Sequence, residues 1–187
     1  IRDLHEEMRE KFTTQAPGQK TGTEFSQVND APSVQRFLPE ALGEAQDRVA
    51  REEVVLRRDS LGILLPTGEE LAGLLAAHAP IWDLETAGSF DLPGVPDRNA
   101  GGTLAFIEQP RVHAFPSLTL FDGVIHLQLN YILWFASRPP ESRFDVLAGA
   151  LDGVHWRVTL DDSLRPLLFD AIHPCGCYHT FFPAPQL

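Results

Sequence analysis

Lysine is almost missing: only two of the fifteen basic residues are Lys, and 26 acidic residues leave a formal charge of −11. No basic cluster offsets that charge. Phosphate contacts supply most nucleic-acid affinity, so no nucleic-acid partner is expected. Docking on anionic lipid is disfavoured for the same reason. No apolar run is long enough to span a bilayer, and no signal-peptide pattern stands at the start. The chain begins at Ile1 rather than Met, which fits cleavage on export as well as a trimmed start. Cytoplasm and periplasm are both open on that reading. Cysteine occurs twice, which excludes a small secreted disulfide framework. Glycine-rich phosphate loops, nucleophile elbows and two-histidine metalloprotease helices are absent; His5-Glu6-Glu7 lacks the second histidine. No repeat of about 20–50 residues is present.

What is there suits an ordinary core: 187 residues, 43% of them hydrophobic. Composition shifts near residue 100. Residues 101–187 hold 12 of the 17 aromatics and five of the seven histidines, while most of the charge lies before them. The expectation is an α+β fold, with N-terminal helices packed on a C-terminal antiparallel meander of five to seven strands. Residues 1–33 form an extension: an amphipathic helix over 2–12 on Leu4, Met8 and Phe12, then a loop over 13–33. Residues 34–187 form one domain, helical over 34–100 and β-sheet over 101–187. Pro39 suits the first position of a helix over 39–50 that carries Leu42, Ala45 and Val49. Residues 63–65 read as a short strand. Thr67 and Glu70 form a capping box for a helix with Leu71, Leu74 and Leu75 on its apolar face. His78 follows on that face as a packed histidine. Residues 81–86 read as a strand and 87–102 as a loop.

Asp122-Gly123 and Asp152-Gly153 each sit between apolar runs, the strongest short signal for a two-residue hairpin turn. A type I′ turn at the first pairs Phe121 with Val124. Thr119 then faces His126, Ser117 faces Gln128, and Phe115 faces Asn130. One face becomes core through Leu118, Leu120, Leu127, Leu129, Tyr131 and Leu133. The other carries an uncharged polar row of Ser117, Thr119, His126, Gln128 and Asn130, with His113 further along. That row is either ordinary exposed sheet or the lining of a groove for a small molecule or peptide. The second turn joins strands over 144–151 and 154–160, with Val154, Trp156, Val158 and Leu160 pointing inward. Residues 161–166 are a loop, and 167–172 a strand that runs into the next segment.

That segment, His173-Pro174-Cys175-Gly176-Cys177-Tyr178-His179, holds both cysteines. If extended, it points His173, Cys175, Cys177 and His179 to one side. The leading expectation is a metal site, with zinc held by members of that set and His126 contributing from a neighbouring strand. An open coordination position would make it hydrolytic. All four cannot reach one ion unless the chain bends at Pro174 and Gly176. A second reading is a thiol/disulfide redox pair. A Cys175–Cys177 bridge would be strained and therefore oxidising, and the flanking histidines would favour thiolate. A third is a thiol nucleophile, Cys175 or Cys177, with His126 or His155 as base and Asn130 as orienting amide. A module that binds without chemistry, using the polar row, is the reading from another class.

Overall fold

The structure, a computed structural model, describes residues 22–31, 34–39, 57–140 and 142–185. In chain order the elements are β1 (Gly22–Ala31), β2 (Val34–Pro39), α1 (Gly68–Ala77), β3 (Trp82–Glu85), β4 (Pro93–Arg98) and β5 (Leu104–Ile107). They continue as β6 (Arg111–Phe121), β7 (Val124–Arg138), β8 (Gly149–Leu160), β9 (Pro166–Ile172) and β10 (Thr180–Pro183). Every pairing is antiparallel. The sheet order is β10-β9-β8-β7-β6-β1-β2-β3, with β4 on β7 and β5 on β4.

This is a mostly-β protein with one α-helix among the described residues, not helices packed on a meander. The expected helix over 2–12 lies outside the described residues, as does that over 39–50 except for Pro39, which ends β2 paired with Phe25 instead of opening a helix. Within 34–100 the α+β expectation fails for identifiable reasons. Val34 to Phe37 pairs as a strand with β3, and Phe37 is buried opposite the buried Trp82. Aromatic and β-branched side chains fit such a half-buried pleated surface. The expected loop over 13–33 contains β1, and the expected loop over 87–102 contains β4. Pro93 and Pro96 obscured β4, but proline is tolerated in short strands that pair over only part of their length. Gly94 is required there, because a Cβ would lie 2.3 Å from the Ile107 carbonyl oxygen.

The capping box forms as expected. Glu70 accepts from the Thr67 backbone N–H at 2.6 Å, and the Glu70 N–H donates to the Thr67 hydroxyl at 3.3 Å. α1 lays Leu74 and Leu75 on the apolar face of the sheet, against Leu127, Leu129, Tyr131, Leu133, Val158 and Leu160. Tyr131 is fully buried, and its hydroxyl donates to the Leu75 carbonyl at 2.9 Å, tying helix to sheet. Truncating Leu129 or Leu133 to Ala would cost about 2–5 kcal/mol, since neither site can collapse without moving β7.

The β6–β7 register is the one the alternation dictates: Phe121↔Val124, Thr119↔His126, Ser117↔Gln128 and Phe115↔Asn130. Asp122 (φ 48°) and Gly123 (φ 77°) are both left-handed, as a type I′ turn requires. The same dipeptide at 152–153 does not turn. β8 runs straight through Asp152 and Gly153, which pair with Phe135 and Trp134 of β7. Gly153 serves a close approach instead: a Cβ would meet the Leu133 carbonyl at 2.8 Å and Pro174 at 3.2 Å. Among the described residues, no helix is long and apolar enough to cross a membrane.

Candidate functional site

The segment after β9 is a tight hairpin loop, not an extended strand. The Gly176 N–H donates to the His173 carbonyl at 2.8 Å, and the His173 N–H donates to the Cys177 carbonyl at 3.0 Å. Proline at the second turn position with glycine at φ 92° is a type I turn closed by a left-handed residue, a standard three-residue hairpin loop. The turn destroys the period-two alignment on which a shared face depended. His173, Cys175 and Cys177 stay together at the tip, while His179 lies beyond Tyr178 (φ 53°), which turns the chain again.

The tip docks on β8. The last β8–β9 pair is His155↔Ile172, so His173 is a diagonal neighbour of Asp152 and Pro174 lies opposite Gly153. His173 Nε2 donates to Asp152 Oδ1 at 2.6 Å, and the Gly153 N–H donates to the same oxygen at 2.7 Å. On the other side of the ring, His173 Nδ1 is 2.7 Å from Cys175 Sγ and accepts from the Cys175 N–H at 3.2 Å. The result is a continuous line of carboxylate, imidazole and thiol, with both cysteines free and exposed.

Charge follows that line. The Cys177 side chain and N–H, and then His173, hold the Cys175 thiol down to about 7. Cys177 is pushed up by Cys175. Partial burial alone would lower His173, but its hydrogen bonds to Cys175 and Asp152 outweigh this and raise it. The two thiols are therefore unequal: one ready to ionise, the other held protonated.

His179 belongs to a different cluster. Asp170, 1% exposed, accepts from Arg157 Nε at 2.6 Å. Arg157 Nη2 also donates to His179 Nε2 at 2.8 Å, and that nitrogen lies 3.1 Å from Asp170 Oδ1. Arginine can only donate, so His179 Nε2 is an acceptor here, and the guanidinium gathers both partners. Among the described residues, no group of three or more His, Cys, Asp or Glu is arranged to hold a metal ion.

The polar row is not open sheet. His126, Gln128 and Asn130 are buried and bonded to their neighbours. Asn130 donates to Ser117 Oγ at 2.8 Å, Ser117 donates to Gln128 Oε1 at 3.3 Å, and Gln128 donates to Thr159 at 3.0 Å. Thr119 stays in register beside them, opposite His126. His155 Nε2 meets Asn130 Oδ1 at 3.0 Å, a histidine–amide pair with no thiol beside it. His126 Nδ1 bonds the Leu160 carbonyl at 3.0 Å. It lies nine residues along β7 from Phe135, the partner of Asp152, so roughly 30 Å from the loop. The expected contribution of His126 to the cysteines is therefore not made; the imidazole beside the thiol comes from His173. Sequence reasoning missed Asp152, because Asp-Gly reads as a turn.

The fold and loop define an antiparallel β-sheet protein with an exposed carboxylate–imidazole–dithiol array. No protein-family model, curated protein or solved structure matches the chain.

Proposed function

We propose that the loop is a thiol–disulfide exchange site, with Cys175 as nucleophile, His173 as its base, Asp152 orienting the ring and Cys177 as resolving thiol. The observation that carries this reading is the unbroken line Asp152–His173–Cys175 with a second thiol two residues on. His173 Nδ1 takes the Cys175 proton. The thiolate attacks one sulfur of a substrate disulfide, a mixed disulfide forms, and the other substrate sulfur leaves as thiolate. Cys177, deprotonated in turn, attacks Cys175 Sγ, releases the substrate thiolate and leaves Cys175 and Cys177 bridged. The substrate gains two electrons and the protein loses two. Run backwards, the bridged form oxidises a substrate dithiol, the direction favoured by a strained bridge and a stabilised thiolate.

Acyl transfer is the weaker use of the same residues. It needs N–H donors for a developing oxyanion. In this loop the Cys175 N–H is taken by His173 Nδ1, the Gly176 N–H by the His173 carbonyl, and the Cys177 N–H by Cys175. Exchange at sulfur forms no oxyanion. Zinc binding is supported by the residue types alone, since the turn separates His179 from the other three.

The test is rapid reaction with glutathione disulfide. Wild type should consume it in two steps and show a potential above about −250 mV, the range of oxidoreductases rather than structural bridges. Cys175→Ser should lose the reaction, and Cys177→Ser should trap the mixed disulfide at Cys175. A wild-type rate no higher than that of a free cysteine at the same pH would sink the reading. So would stoichiometric zinc on purified protein that is lost when both cysteines become serine, which would favour the metal reading instead.

A further inference from the structure

The strand beside this loop carries a feature that exchange with a small disulfide would not need. β10 is an edge, with β9 as its one hydrogen-bonded neighbour among the described residues. Exposed edges invite another strand, and proteins commonly blunt them with charge. Here the chain from Ala171 to Pro183 contains no Asp, Glu, Lys or Arg, in a protein where 22% of residues are charged. Aromatics occupy both faces of the edge instead: Phe181 is 54% exposed and Phe182 46%, with Tyr178 at 68% just before them. The Phe181 ring lies tilted against His179, centroids 4.0 Å apart, and the Phe182 ring lies 5.7 Å from that of Trp156. The rings are thus anchored at their bases while their outer parts face solvent. The edge runs directly out of the cysteine loop, so a chain laid along it passes the thiols.

We infer that the substrate is an extended, uncharged segment of an incompletely folded polypeptide, which adds as a strand to β10 and presents its own cysteine sulfur to Cys175. This rests on the thiol-exchange reading. A neutral aromatic edge on a chain of charge −11 selects an apolar partner over an ionic one. Main-chain pairing supplies affinity that does not depend on sequence, and the two ring faces grip alternate side chains. Polypeptides that still need disulfides made or rearranged have such segments exposed.

The test compares three disulfides on the wild-type protein: glutathione disulfide, a short Val/Phe-rich peptide disulfide-linked to glutathione, and the same peptide N-methylated on alternate amides. The unmethylated peptide should react roughly tenfold faster than its methylated form, the ratio that about 1.4 kcal/mol of pairing would give. Phe181→Lys and Phe182→Lys should each erase that preference and leave the glutathione disulfide rate unchanged, which also shows that the variants are folded. Equal rates for the two peptides would overturn the inference and leave the thiol reading intact. Absence of reaction with all three would remove both. A dimer of the Cys175→Ser, Cys177→Ser protein that Phe182→Lys dissociates would also overturn it, since the edge would then serve a second copy of this chain.

Discussion

Two histidine–carboxylate pairs flank one loop, and they do opposite things. His173 leans on Asp152 and passes that support to a thiol at the surface. His179 meets Asp170, but Asp170 is buried and committed to Arg157. The difference lies in the third group. Where a guanidinium neutralises the carboxylate, Arg157 and Asp170 brace β8 against β9, and His179 accepts from the guanidinium. Where a backbone N–H is the other partner, the carboxylate still has charge to lend to the imidazole. Proximity of histidine to aspartate is thus no signature of chemistry until the other partners of the carboxylate are known.

The largest effect should come from breaking the structural pair. Asp170→Ala leaves Arg157 largely buried without its counter-ion and should cost about 3–5 kcal/mol in urea unfolding. The pH midpoint of Cys175 alkylation, followed by mass spectrometry, should stay near 7. If that midpoint moves, the two pairs are one network and the contrast between them is false. Gly153→Ala ranks next. The added methyl meets the Leu133 carbonyl and the Pro174 ring, so about 1–3 kcal/mol should be lost to overpacking. The loop should lift from Asp152, and the alkylation midpoint should rise. An unchanged midpoint would mean that the loop holds its geometry without β8.

Asp152→Asn sharpens the contrast further. Asparagine keeps an oxygen that can accept from His173 Nε2 and removes only the charge, so stability should change by only about 1 kcal/mol. It should nonetheless raise the Cys175 midpoint, because His173 then holds its proton less well. A variant that is destabilised but unchanged in midpoint would make Asp152 a brace like Asp170, and the proposed orienting role would fail.

How much of this was legible depends on the range of the interaction. The Thr67–Glu70 cap and the Asp122-Gly123 turn are local, so the residues that specify them lie within four positions, and both formed as read. The β6–β7 register followed from the same turn. The fold class failed where contacts are distant: Phe37 is a strand residue because Trp82 lies opposite, forty-five positions away. Asp152-Gly153 carried a local turn signal that a long-range approach overrode, since the glycine is needed against Leu133 and Pro174. In the cysteine segment the local signal was present and outweighed. Pro-Cys-Gly is a turn sequence, whereas the ligand spacing suggested a strand. The candidate residues were therefore found, but their partition into two environments was not, because Asp152, Arg157 and Asp170 come from other strands.

A third kind of histidine sets the sign of the pH dependence and gives the smallest effect. His78 caps α1 with no carboxylate bonded to it among the described residues; burial lowers it, opposed in part by the Leu164 backbone. His113 and His155 are lowered by burial too. For a histidine depressed in the folded state, the unfolded chain takes the proton more readily. Stability is then full above the unfolded value, near about 6.5, and falls as pH drops toward the folded one. His173, raised by its partners, has the opposite sign: its contribution is present below about 6.5 and lost as pH climbs through its folded value. Unfolding midpoints in urea should therefore decline from pH 7 to pH 5, because three lowered histidines outweigh one raised one. His78→Gln should flatten that decline without abolishing it, since His113 and His155 still contribute. A slope identical to wild type would mean that His78 is solvated in its folded state, and that a carboxylate neighbour is not what separates His173 from the other histidines.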